Sequence, residues 1–283
     1  PRANTIETLV RTLVHHPQLT MARGSLLVER GGYPLLQWLV DGMEWASWHF
    51  HAPGLSLLAG SAYFGGGNAA WRTEALQELG FDPNMLTEDI DISIRALSLG
   101  HRMQFVPWAQ VGELCPPTLA AFYRQRLRWA MGWEQVTFKR LTTLFSSNAI
   151  TEAKKWRTSI LLLARYSAMI NGLIAMYNLI MNLGHDLGWL GFGGQIAPPI
   201  RVASTINLYA SLCALTFIIL SLGLFREPWW RWVHVVMFFP FGTFYLLATT
   251  VLVFISWIRL SCLQELTWVP TARQAGAETH SIK

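Results

Sequence analysis

Negative charge is what this sequence has least of. Seventeen of its 283 residues are Asp or Glu, and beyond Thr158 only Asp186, Glu227, Glu265 and Glu278 remain. All charged types together make up 14% of the chain against 52% hydrophobic, where a soluble domain carries about 25% charged residues. With a mean hydropathy of +0.30, the composition argues against an ordinary soluble fold and for membrane residence. It divides the chain into a polar front and an apolar back. Cysteine is also scarce. Cys115, Cys213 and Cys262 stand far apart with no CxxC pair, so no disulfide framework or zinc site can be read from them. The histidines, including "HFH" at 49–51 and "HH" at 15–16, lack the carboxylate or cysteine spacing of a metal site and suit structural or surface roles.

What charge there is has a place. The net charge of +5 gathers beside apolar segments, at Lys139, Arg140, Lys154, Lys155 and Arg157. That suits a cytoplasmic membrane face rather than a nucleic-acid groove. The front half reads as alternating short elements. "TIETLVRTLV" puts Ile6, Leu9, Leu13 and Val14 on one helical face, and "TMARGSLLVE" reads as a strand. "YPLLQWLVDGMEWASWHFHAPGL" reads as a helix packed on membrane or core. "SAYFGGGNAAWR" (61–72) places Gly65, Gly66 and Gly67 after a strand-like run, where backbone freedom allows either a tight turn or close approach by a ligand. "TEALQELG" is a short helix closed by Gly80. A further helix has Thr87 at its N-cap, an apolar stripe of Ile90, Ile94 and Leu97, and Gly100 at its end. "HRMQFVPWAQVGE" reads as a strand, and 117–141 as a long interfacial helix with interleaved aromatic and basic residues.

Three apolar segments follow, at about 158–182, 202–224 and 234–258, each long enough for a hydrocarbon core of about 30 Å. Arg165 and Asn171 in the first and a Pro240-Phe241-Gly242 break in the third are the exceptions. Arg165 should therefore face protein or a polar path, not lipid. Trp189, Trp229, Trp230 and Trp232 fall where an aromatic belt would.

Against this background, "LTEDIDISIRALSLG" (86–100) concentrates Glu88, Asp89 and Asp91 in four positions. Acids in a first helical turn are favoured by the helix dipole, and Asp91 can pair with Arg95, so a structural account exists. A second constellation extends it. In "YRQRLRWAMGW", Gln125, Arg128 and Trp129 share one helical face. A guanidinium suits a phosphate, an indole suits a sugar ring, and a nearby carboxylate could deprotonate an attacking hydroxyl. A basic helix lying on anionic lipid would explain the arginines but not the Gln and Trp spacing.

"TED" at 87–89 and "QRLRW" at 125–129, 36 residues from Asp89 to Gln125, resemble the TED and QxxRW signatures of processive family 2 glycosyltransferases. These are the membrane synthases of cellulose, chitin, hyaluronan and poly-N-acetylglucosamine. The resemblance implies an α/β fold plus transmembrane helices. Residues 1–116 would be the C-terminal, acceptor-side half of a GT-A catalytic domain, and 117–157 the interfacial helix. Residues 158–258 would be a region of about three membrane helices, and 259–283 a tail. It also implies roles. Asp89 matches the general base, with Thr87 and Glu88 shaping its corner. Gln125, Arg126 and Arg128 match positions near the donor diphosphate. Trp129 contacts the acceptor sugar, and Gly65, Gly66 and Gly67 lie where the family lines the acceptor site. "TWVPTAR" at 267–273 resembles a tail or gating motif, which would put the tail on the cytoplasmic side, whereas three crossings would put it outside.

The family's metal-binding DxD has no counterpart before residue 88, and the chain begins at Pro1 with no signal peptide. The expectation is therefore of the later part of a longer protein. Its Mg2+ or Mn2+ ligands would lie upstream, and this part would be inactive alone. The implied partners are a UDP-sugar donor, a growing polysaccharide acceptor, the lipid bilayer and an accessory export subunit, with no nucleic acid. The implied location is the inner or plasma membrane, multi-pass, with the catalytic part cytoplasmic. Two alternatives stay open: a non-enzymatic membrane channel or scaffold subunit, and a glycosyltransferase with a lipid-phosphate acceptor.

Overall fold

A computed structural model of the chain describes residues 1–29, 34–186 and 198–262. The sequence motif at 267–273 and Trp189 lie outside them. Strand β1 (Met21–Glu29) is the centre of a three-stranded sheet of order β2-β1-β3, between β2 (Ala69–Trp71) and β3 (Met103–Leu114). It runs antiparallel to β2, pairing Met21 with Trp71, and parallel to β3, pairing Met21 with Met103 and Glu29 with Leu114. Eight of its nine residues are buried, as expected of a strand covered on both faces. The register with β3 shifts between Arg23 and Ser25, opposite Pro107, whose missing N–H suits a bulge. Asn68 fills the irregularity, its side-chain amide donating to the carbonyls of Ser25 and Ala109 at 2.8 and 2.7 Å.

Helix α1 (Thr5–His15) covers one face of the sheet through Leu9 and Leu13, which pack with Leu19, Ala22 and Val106. The predicted helix is present, but its inward stripe is rotated: Thr5, Leu9 and Leu13 are buried, while Ile6 and Val14 are 69% and 68% exposed. A hydrogen bond from the Thr5 hydroxyl to the Gln110 carbonyl (2.7 Å) fixes that rotation. Residues 34–59 form one helical stretch. It consists of α2 (Pro34–Ala46), a wider π turn (Ser47–His51) and α3 (Ala52–Ala59), which ends at Gly60 with φ +69°. Residues 61–64, expected to be strand-like, form a loop. The Phe64 N–H is taken by the Ser93 hydroxyl at 2.7 Å, outside any ladder.

The opposite face of the sheet is covered by α4 (Thr73–Leu79), α5 (Glu88–Ser98), α6 (Leu119–Ser146) and α7 (Glu152–Asp186), sharing a core of Met21, Ile90, Ile92, Ile94, Leu97, Val136, Leu161 and Leu162. The expected stripe of Ile90, Ile94 and Leu97 is buried, and Gly100 (φ +87°) closes the helix. Thr87 stands at the N-cap position, but its hydroxyl caps nothing. Helix α5 is instead anchored by Asp91. This fully buried carboxylate accepts from Arg95 Nε at 2.8 Å and from Arg140 Nε of α6 at 2.5 Å. Arg95 and Arg140 reach onward, to the Leu79 and Gly80 carbonyls and to Asp82.

Helices α7, α8 (Pro198–Leu224) and α9 (Trp229–Ser261) occupy the three expected apolar segments. By length and composition, α9 carries the one candidate membrane span found among the described residues, Phe244–Ser261; α8 contributes a shorter apolar run, Leu212–Leu224. Helix α9 continues through Pro240 where a break was expected. It packs on α2, α6 and α7, and such neighbours hold a proline-containing helix together. Its start is fixed by Arg231, which pairs with Asp41 at 3.2 Å and Glu227 at 2.7 Å. Arg165 faces protein, as its position demanded. Its Nη2 pairs with the buried Glu134 at 2.9 Å and donates to Thr137 and Tyr166, whose own hydroxyl donates to Glu134.

Replacing Asp91 with alanine should leave two guanidinium groups facing a buried void. Stripping one partner from a buried ion pair costs about 3–5 kcal/mol. Denaturant unfolding of Asp91→Ala should show a loss of that order, whereas Glu7→Ala, which breaks an exposed pair with Arg11, should change stability by less than about 1 kcal/mol.

Candidate active site

The first turn of α5, the loop at 65–68, the π turn and the inner face of α6 converge on a cavity of about 740 Å³. Thr87, Glu88 and Asp89 line it from α5, and Gly65, Gly66 and Gly67 from the loop. Gln125, Arg126, Arg128 and Trp129 line it from α6. The two sequence motifs, 36 residues apart, therefore form one wall.

Asp89 sits where the loop presses on the helix. Its Oδ1 accepts the Ile90 N–H at 2.9 Å, and its carbonyl accepts the Ser93 hydroxyl at 2.7 Å. Gly66 takes φ +78°, and a Cβ there would lie 2.9 Å from Asp89 Oδ2. At Gly65 a Cβ would lie 2.6 Å from Arg23 Nη2 and 2.8 Å from the Trp48 ring. Gly67 meets only ordinary contacts, with Leu26 at 3.6 Å. Two of the three glycines are thus required by close approach. Burial pushes the Asp89 carboxyl up to about 6, with Glu88 adding to the rise and the Ile90 N–H and Arg23 opposing it. Between its ordinary value near 3.8 and about 6, the folded chain holds this proton more tightly than the unfolded chain. Ionising Asp89 therefore lowers stability as pH rises through that window. Above it the group is a carboxylate poised to accept a proton near neutral pH.

Arg128 donates from Nη1 to the Leu86 carbonyl at 2.9 Å and lies in the field of Glu88 and Asp89, which offset the lowering of its pKa by burial. Arg126, grouped with Arg128 in the sequence reading, forms a buried ion pair with Glu44 of α2. Its guanidinium stacks on Trp129 and Phe122, with the guanidinium carbon 4.4 and 4.9 Å from the ring centroids. Trp48 donates to the same Glu44 at 3.0 Å. Thr87 packs against Gly132 of α6, where a Cβ would fall 2.5 Å from its methyl group. The glycine in "WAMGW" therefore lets α6 close on the motif. The Thr87 hydroxyl is buried without a partner among the described residues.

Several lining residues had no signal in the sequence: Glu44, Trp48 and Glu113 at the rim, and Tyr245, Thr249 and Thr250 of α9. Arg165, Met169 and Leu161 carry the cavity on between α7 and α9. His49 is neutral at physiological pH, because burial against Trp45 pulls it down to about 4. Among the described residues, no three His, Cys, Asp or Glu side chains converge to hold a metal ion. The sequence expectation places the Mg2+ or Mn2+ ligands elsewhere than in these residues.

Asp89 thus lies beside guanidinium and indole groups in one cavity, an arrangement compatible with group transfer to a sugar hydroxyl. Residues 2–185 match the family described as Glycosyl transferase family group 2, and the chain belongs to that family. It is 33% identical over 110 residues to the probable glycosyltransferase YdaM of Bacillus subtilis (strain 168), covering 38% of this chain and 24% of that protein. It is 34% identical over 70 residues to the poly-beta-1,6-N-acetyl-D-glucosamine synthase of Staphylococcus aureus (strain COL), covering 24% of this chain and 17% of that protein. The matched segments thus span a quarter or less of these relatives.

Gly66→Ala should strain the left-handed backbone and push on Asp89, a loss of about 1–3 kcal/mol. Gly67→Ala should be tolerated. Thermal unfolding of the two variants side by side checks the contrast.

Proposed function

We propose that the chain carries the acceptor side of an inverting, processive membrane glycosyltransferase that polymerises a β-linked polysaccharide from a UDP-sugar. The observation that carries this reading is the cavity itself. It starts at Asp89, passes Gln125, Arg128 and Trp129, and continues between α7 and α9 toward the candidate membrane span. A growing glycan would lie along such a path while its end stays at the carboxylate.

In this reading Asp89 takes the proton of the acceptor hydroxyl as that oxygen attacks the anomeric carbon and the bond to UDP breaks. Gln125 and Arg128 face the departing diphosphate, and Trp129 offers its ring to the terminal sugar. Glu88 and Thr87 shape the corner, while Arg126, tied to Glu44, stacks under Trp129 and fixes its orientation. The resemblance to the Staphylococcus poly-beta-1,6-N-acetyl-D-glucosamine synthase favours UDP-N-acetylglucosamine as donor, with UDP-glucose the competitor. A divalent cation accompanying the donor would be held by ligands beyond the described residues. Three membrane crossings at α7, α8 and α9, a cytoplasmic catalytic part and an export partner complete the proposal.

The test uses the full-length protein reconstituted in membranes, with radiolabelled UDP-glucose or UDP-N-acetylglucosamine and magnesium, following high-molecular-weight product. Polymer from one donor, reduced at least about 100-fold by Asp89→Asn as loss of a general base requires, is the expected result. Undiminished polymer from the variant overturns the role of Asp89. No polymer from either donor overturns the synthase reading and favours a channel or scaffold.

The pH profile gives a second check. Asp89 must be ionised to accept a proton, so activity is held above about 6. Below that, the rate should fall about tenfold per pH unit, and an acidic limb near 4 would contradict the raised pKa.

A further inference from the structure

Arg23, in the middle of β1, is only 1% exposed. Burying a guanidinium is costly unless its charge is balanced, yet its Nε and Nη2 have no hydrogen-bond partner among the described residues. Its one such bond runs from Nη1 to the Tyr63 carbonyl at 2.8 Å. The group is boxed by aromatic rings, its carbon 3.9 Å from the Trp48 centroid, 4.7 Å from Tyr63 and 5.9 Å from Phe105. Cation–π attraction offsets part of the burial cost.

The box lies directly under the glycine loop. A Cβ on Gly65 would strike Arg23 Nη2, and one on Gly66 would strike Asp89 Oδ2. The guanidinium and the carboxylate thus press on consecutive residues of one loop, and the guanidinium is itself buried. There an opposite charge strongly favours the ionised form of an acid.

We infer that Arg23 is a positioning residue for Asp89: its boxed guanidinium seats the glycine loop and biases the carboxylate toward its ionised form. This rests on the reading of Asp89 as the base. The other charges facing Asp89 are Glu88 on its own helix and Arg128 from α6. Further along the cavity wall stand the Glu44–Arg126 pair, Glu113, His51 and Arg165. All are unchanged in the variants below.

The test titrates Asp89 directly, without turnover. The infrared band of its protonated carboxyl is isolated by subtracting Asp89→Asn spectra from those of the full-length protein in nanodiscs, across the pH range. The wild type should titrate near 6. Arg23→Met keeps a long side chain against the aromatic rings but removes the charge, and should raise the midpoint above that of the wild type. Arg23→Lys, which keeps the charge, should return it toward wild type. In an active preparation, the acidic limb of the rate profile should move in parallel.

An unmoved midpoint in Arg23→Met, or a lysine variant that behaves like the methionine one, overturns the proposal and leaves Arg23 a packing residue. Arg23→Gln is the second neutral variant. If both neutral variants fail to fold while Arg23→Lys folds, the charge is needed by the fold as a whole and the proposal for Asp89 fails. Because the titration needs no catalysis, an inactive wild type would count against the synthase reading and leave this result intact.

Discussion

The salt bridges at Asp91 hold the two halves of the site together. Helix α5 brings the acidic corner and α6 brings the Gln-Arg-Trp face, and neither is useful without the other at the right distance. The fully buried Asp91 joins Arg95 of its own helix to Arg140 of α6, and the same two arginines tie down the Gly80 carbonyl and Asp82. A charge cluster this deep in a core is geometrically demanding, because any shift of α5 along α6 strands an ion. Gly132 then lets α6 approach until it touches Thr87. One acid of the motif region works for the fold, while its neighbour Asp89 lines the cavity.

Two other buried pairs frame the cavity. Glu44 and Arg126 link α2 to α6 on one side, with Trp48 donating to the carboxylate. Glu134 and Arg165 link α6 to α7 on the other, closed by the Tyr166 hydroxyl. In each, the charged groups cross from one helix to the next. Such pairs are directional, so they fix the rotation of each helix more sharply than hydrophobic packing can. The aromatic and guanidinium groups along the cavity wall inherit that order. Thr249 and Thr250 of α9 line the far side, their hydroxyls donating to the Leu246 carbonyl.

Much of this was legible from periodicity and punctuation. Helix α1, strand β1, helix α4 with Gly80, helix α5 with Gly100, and strand β3 all stand where the pattern puts them. The acidic corner and the basic-aromatic face were visible as motifs, and the structure brings them to one cavity. What escaped depends on long-range partners. The rotation of α1 follows from a Thr5 bond to Gln110, 105 residues away, which an apolar stripe cannot reveal. Residues 61–64 look like a strand because they are apolar, but Ser93 takes the N–H that a ladder would need. Arg140, Glu44 and Arg23 carried no local signal, because a buried ion is recognisable only by what it faces. Pro240 reads as a break in isolation, yet α9 is gripped by three neighbouring helices.

The placing of Asp89 expresses a compromise between two requirements of group transfer. In the proposed reading, a less polar surrounding would strengthen the electrostatic contacts around the reacting groups. Burial raises the Asp89 pKa, which in the proposed role opposes its use as a base. The counterweights are the Ile90 N–H and the field of Arg23, with Glu88 acting against them. The balance falls at about 6, low enough for the carboxylate to dominate at neutral pH and high enough for it to be a better proton acceptor than an exposed aspartate. An arginine in the open cavity could do the same by pairing directly with Asp89, but it would then occupy the place an acceptor hydroxyl must reach. In the proposed arrangement Arg23 bears on the loop at Gly65 while Asp89 meets it at Gly66, so the cation need not pair directly with the carboxylate.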